Sequence, residues 1–80
     1  NPFNEFTSFS FNLPANCKNA QLNIYDLFGN LKRVFDIVGN KSQVWNGKDT
    51  NGKRVKTGIY LYNIYYDNCS TQINKLILTH

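Results

Sequence analysis

Residues 58 to 67 read GIYLYNIYYD, with Tyr60, Tyr62 and Ile64 falling on one side of an extended chain and Ile59, Leu61, Asn63 and Tyr65 on the other. Period-two spacing of aromatic and β-branched residues marks a strand in a sheet; a helix repeats its faces every ~3.6 residues. The same alternation appears twice earlier. In TSFSFNL (7 to 13), Phe9, Phe11 and Leu13 oppose Ser8, Ser10 and Asn12; in AQLNIYD (20 to 26), Ala20, Leu22 and Ile24 oppose Gln21, Asn23 and Tyr25. Pro14 removes a backbone donor and closes the first of these strands. LKRVFDIV (31 to 38) is extended without clear sidedness, SQVWN is a short strand carrying the single tryptophan, Trp45, and TQINKLILT is the last strand. Between them PANCKN, LFGN, GNKS and DNCS are turns, and they recur at the roughly 8–12 residue spacing of a sandwich or barrel. Six strands are legible, and a seventh is expected within the long loop 46–58. The fold class is all-β.

The size of the chain constrains what those strands must do. A domain of 80 residues buries only about 60% of the surface its unfolded chain exposes, so nearly every large apolar side chain has to join the core. The aromatic share is 15%, mostly Phe and Tyr, while methionine is absent and alanine occurs only at Ala15 and Ala20; this bias favours strands over helices. The net charge of +4 could draw the chain to an anionic surface, but the charges are scattered except around residues 48–56, which reads as ordinary solubility. No apolar run approaches the ~20 residues of a membrane-spanning helix. The chain opens on Asn-Pro-Phe, with neither an initiator methionine nor a signal peptide, so it is expected to be a piece of a longer protein.

The loop NGKDTNGKRVKTG invites three chemical readings. A P-loop needs GxxxxGK followed by Ser or Thr and a helix; Gly47, Gly52 and Lys53 have the spacing, but Arg54 and a strand follow. Aligned as a calcium loop, the segment offers only Asp49 and Asn51 as side-chain ligands, too few for the ion. Lys48, Lys53, Arg54 and Lys56 lie near Tyr60 and Tyr62, a pairing that can stack bases, yet the alternation of those tyrosines with Ile64 argues more strongly for a core face. Catalysis fails on inventory. The carboxylates Glu5, Asp26, Asp36, Asp49 and Asp67 sit mostly at strand ends, and the single histidine, His80, is terminal. The sequons at Asn40 and Asn68 read as chance in an asparagine-rich chain. No enzyme activity, metal or cofactor is expected.

Taken together, the segments resemble the type A C-terminal sorting domain of the type IX secretion system of the Bacteroidota. NPFNEFTSFSFNLP, with Asn1, Pro2 and Phe3, is similar to that family's opening turn and apolar strand; LNIYDLFGNLKRV, with Asp26 and Gly29, to its second strand and turn. VWNGKDTNGKRVKTGIYLYNI, with Trp45, Gly47, Asp49, Gly52, Gly58, Tyr60 and Tyr62, resembles its Trp loop and Gly-x-Tyr strand, and NKLILTH its closing strand. In the family a Tyr-Pro usually stands just before the opening turn, a position that precedes Asn1; the last residues are Thr79-His80 where the family commonly ends on a basic residue, and Cys17 and Cys69 lie outside the pattern. The glycines then serve the turns of a β-connection, and Trp45, Tyr60 and Tyr62 are core aromatics.

The resemblance implies an immunoglobulin-like antiparallel sandwich of about seven strands, forming one domain over residues 1–80 at the end of an exported protein. It implies a non-catalytic address recognised by the outer-membrane type IX translocon, in transit through the periplasm to the cell surface or medium. A sortase-like cysteine protease would remove it from its N-terminal cargo by cutting upstream of this chain. No nucleic acid is implied as a partner. Recognition is expected on the final strand, at Ile73, Asn74, Lys75, Leu76, Ile77 and Leu78, whose backbone could extend a partner's sheet; an equal alternative is that this strand only completes the core. Such an edge could also support self-association. Asp26, Gly29 and the loop 46–58 are second choices. The competing class is an extracellular sandwich that binds carbohydrate, adheres or builds structure, as in the related domain of flagellar hook-capping proteins. In immunoglobulin strand order Cys17 and Cys69 should lie at opposite ends, which argues against a disulfide.

Overall fold

The computed structural model describes residues 7–67, 69–71 and 73–78. Among these residues the chain is all-β, with the strands β1 (Thr7–Ser10), β2 (Ala20–Tyr25), β3 (Leu31–Asp36), β4 (Ser42–Trp45), β5 (Gly58–Tyr66), β6 (Cys69–Ser70) and β7 (Asn74–Leu78). All pairings are antiparallel. β1 and β4 form a small sheet, and β3, β2 and β5 run side by side in a larger one whose far edge, beyond β5, is shared by β6 and β7. The opening Asn1, Pro2 and Phe3 lie outside the described residues.

The seventh strand is not where the sequence placed it. It is the pair Cys69–Ser70, in the segment read as a turn. The long loop instead folds into a small hairpin-like connection with one isolated bridge, Lys48 to Arg54. The final strand is split for a geometric reason. Between the pairs Tyr62–Asn74 and Tyr65–Ser70, β5 advances three residues and the outer strand four. An extra residue on one strand of an antiparallel pair is a bulge, and it interrupts the ladder. At the break, the Thr71 hydroxyl replaces a backbone acceptor for the Ile64 N–H, at 2.9 Å.

The core is built by the alternating faces. Ala20, Leu22 and Ile24 of β2 are buried beside Tyr60 of β5 and Leu76 and Leu78 of β7; Phe9 and Trp45 come from the small sheet. Two edge-to-face aromatic pairs join the sheets: Phe9 on Tyr62 at 4.9 Å and Trp45 on Tyr60 at 5.6 Å. Such pairs contribute about 0.5–1.5 kcal/mol beyond the area they bury. Two core residues were not legible from periodicity. Ile37 follows β3 and is fixed by its N–H donating to the Ala20 carbonyl at 3.1 Å, and Val55 is drawn inward by its N–H bond to the Gly47 carbonyl at 2.8 Å.

The cysteines also depart from expectation. Both are free thiols, but they lie toward the same end of the molecule. The reason is the antiparallel register, which sets Tyr66 between Ala20 and Cys69, while Asp67 accepts hydrogen bonds from the N–H groups of Lys18 and Asn19. Desolvation and the neighbouring Asp67 charge both push the Cys17 thiol above its ordinary pKa.

Candidate recognition surface

β7 is an edge strand: among the described residues it pairs only with β5. Its alternation divides it sharply. Leu76 and Leu78 point into the core, Leu78 being only 1% exposed, whereas Asn74, Lys75 and Ile77 face solvent, with Ile77 66% exposed. Ile73, just before the strand, is exposed as well. One face of the strand therefore closes the core, and the other is exposed to solvent. An edge strand also directs every second N–H and C=O away from its sheet, where an incoming strand can pair with them.

The outward face of the larger sheet continues this surface. Leu31, Tyr25, Leu61 and Lys75 lie in one cross-strand row over β3, β2, β5 and β7, and Ile59 sits opposite Ile77 in the next. Farther along, Asn23 donates to the Asn63 side-chain carbonyl at 3.3 Å, so the apolar rows give way to a polar pair.

The Asp26 turn borders the same end. Its carboxylate accepts from the N–H groups of Phe28 and Asn30, both at 2.9 Å, and from the Asn30 side-chain amide at 3.0 Å, with Lys32 at 3.8 Å. Desolvation works to raise the Asp26 pKa, but the bonds from Asn30 and Phe28, together with Lys32, outweigh it and hold the group below the usual carboxylate range. Gly29 completes the turn at φ +87°, a conformation that a side chain resists.

Trp45, Gly47, Asp49, Gly52 and Gly58 are placed in and around the long connection. Trp45 is fully buried, and its indole N–H donates 2.9 Å to the Lys48 carbonyl. That oxygen also accepts from Arg33 at 3.1 Å, tying the loop to β3. Asp49 closes the inner turn by accepting from the N–H groups of Asn51 and Lys53, both at 2.9 Å, with Gly52 at φ +81°. Tyr60 is buried and its hydroxyl donates to the Lys56 carbonyl; burial pushes its phenol upward in pKa, and Asp26 adds to the shift. Tyr62 is half-buried against Phe9. These residues are brought together as scaffold and turn, and no group of three His, Cys, Asp or Glu suited to a metal occurs among the described residues.

Thr7 pairs with Trp45, and Leu78 pairs with Gly58. Both described ends of the chain thus emerge beside the Asp26 turn and the long connection.

The architecture is that of an immunoglobulin-like antiparallel sandwich. The chain belongs to the CHU_C type IX secretion signal domain family, whose model matches residues 4–79. Among solved structures it is similar to dimeric latent PorU from Porphyromonas gingivalis, with a TM-score of 0.81 and 23% identity, over 99% of this chain and 8% of that one. It is also similar to FlgD from P. aeruginosa, with a TM-score of 0.64 and 24% identity, over 90% of this chain and 60% of that one. At these identities the likenesses bear on the fold, and in each case the chain spans only part of the other's length. Among curated proteins no match is found. No helix is long and apolar enough to cross a membrane among the described residues.

Proposed function

We propose that this chain is the C-terminal sorting signal of a larger exported protein, recognised as a folded unit by the outer-membrane type IX translocon and carrying no catalysis of its own. The observation that carries this reading is the family match across residues 4–79. The cargo precedes residue 1, crosses the periplasm with the signal and is delivered to the surface or medium, where a sortase-like cysteine protease cuts upstream of the domain. Recognition falls on the segment 73–78, through strand addition to β7 and contact with Lys75 and Ile77. The exposure of those side chains and the position of β7 at a sheet edge support it.

The test is a periplasmic reporter fused ahead of this chain, assayed for surface delivery in wild-type and translocon-deficient cells. Deleting residues 73–80 would also strip Leu76 and Leu78 from the core, so loss of export by that variant alone is ambiguous. The informative variants are Ile77→Lys and Lys75→Glu, which change only the solvent face of β7. Delivery that needs the translocon and falls in these folded variants is the expected result. Delivery unchanged by both variants would remove the Lys75 and Ile77 side chains as contacts. A folded wild-type fusion retained in the periplasm of competent cells would overturn the signal reading in favour of an extracellular binding or structural module.

A further inference from the structure

The end of the chain carries large apolar residues on both of its faces. Leu76 and Leu78 are buried, while Ile73 and Ile77 on the other side are exposed. Hydrophobic pattern alone then specifies the register of β7 weakly, because a slip of one residue exchanges the two faces. The competing register follows from β6. Continuing the Tyr65–Ser70 and Tyr66–Cys69 ladder without interruption would pair Leu61 with Asn74, Tyr60 with Lys75 and Ile59 with Leu76. The observed pairs are Leu61 with Lys75, Tyr60 with Leu76 and Ile59 with Ile77. The continuous register would keep an unbroken ladder of backbone hydrogen bonds, whereas the observed one requires a bulge.

Two residues tip this balance. In the continuous register Lys75 would lie beside Tyr60, which is buried and packs edge-to-face on Trp45. An ammonium held there gives up water, which is costly for a charge; in the observed register Lys75 faces solvent. Thr71 in turn lessens the cost of the bulge. Its hydroxyl accepts from the Ile64 N–H at 2.9 Å while its own N–H donates to the Ile64 carbonyl at 2.8 Å, so both backbone groups of Ile64 stay bonded at the break. We propose that Lys75 and Thr71 together select the register of β7, and thereby the side chains this edge strand shows to a partner. In the other register the strand would offer Asn74, Leu76 and Leu78 and turn Ile73, Lys75 and Ile77 inward. The inference goes beyond the export reading: it concerns how the chain itself folds, and it stands or falls whatever meets β7.

The test reads the register directly, from cross-strand nuclear Overhauser effects in the isotopically labelled chain. The parent is expected to connect Leu61 with Lys75 and Ile59 with Ile77. In the double variant Thr71→Val, Lys75→Leu those contacts should be lost and replaced by contacts of Leu61 with Asn74 and of Ile59 with Leu76. The control Thr71→Ser, Lys75→Arg keeps both the hydroxyl and the charge and should hold the parent pairs. A folded Thr71→Val, Lys75→Leu chain that retains the parent pairs overturns the proposal, as does a parent that already shows the continuous pairs. Should that variant not fold, amide exchange in Thr71→Val and Thr71→Ser decides. Loss of the hydroxyl should speed exchange of the Ile64 amide about fivefold relative to the serine variant, and equal rates overturn the proposal.

Discussion

Asp26 shows how one side chain specifies a turn. Its three accepted hydrogen bonds satisfy donors that the tight reversal would otherwise leave to solvent, and Gly29 supplies the left-handed backbone that follows. Gly29→Ala has open space around the added methyl group, so its cost is backbone strain alone. We expect a loss of about 1–2 kcal/mol, read from the urea midpoint with an unchanged m-value. The Asp26 carboxyl gives a pH prediction. Its folded pKa lies below the unfolded value of about 3.9, so its stabilisation is present above that value and is lost as pH falls through the folded pKa. Asp26→Ala should therefore melt below the parent at neutral pH, and the difference should close in acid. A gap that stayed constant down to about pH 3 would show that the charge is not the source.

At the scale of the element, β7 separates core from surface within five residues. Leu76→Ala should destabilise by about 2–5 kcal/mol and Ile77→Ala by under about 0.5 kcal/mol, although the two are chain neighbours. Denaturant titration of both variants checks this, and equal losses would contradict the placement of Ile77 on the solvent face. Trp45→Ala should cost about 3–5 kcal/mol, because it removes both the Tyr60 stacking and the bond that anchors the Lys48 carbonyl. The larger share of that loss is core volume, since one neutral hydrogen bond contributes only about 1 kcal/mol.

For the whole molecule, the consequential fact is that β1 begins and β7 ends at the same pole. A partner engaging β7, the Asp26 turn or the long connection would sit next to the chain that enters at Thr7. In the proposed role, the β7 surface then lies at the same end as Thr7, where the described chain begins. Edge strands on both sides of the larger sheet carry the complementary hazard, pairing with a second copy. Any self-association should depend on concentration in sedimentation and be reduced by Ile77→Lys, a charge on an exposed edge; association that ignored this substitution would place the contact elsewhere.

The sequence by itself determined the all-β class, the alternating faces of β1, β2 and β5 and the turns at LFGN and GNKS, because each depends on neighbours within a few residues. Its ordered motifs also carried the resemblance to the secretion-signal family. It could not place Ile37 and Val55 in the core, since both are buried by hydrogen bonds to residues elsewhere in the chain and follow no local period. Nor could it locate the bulge that splits the last strand, or set Cys17 and Cys69 toward one end, because register is a property of paired strands.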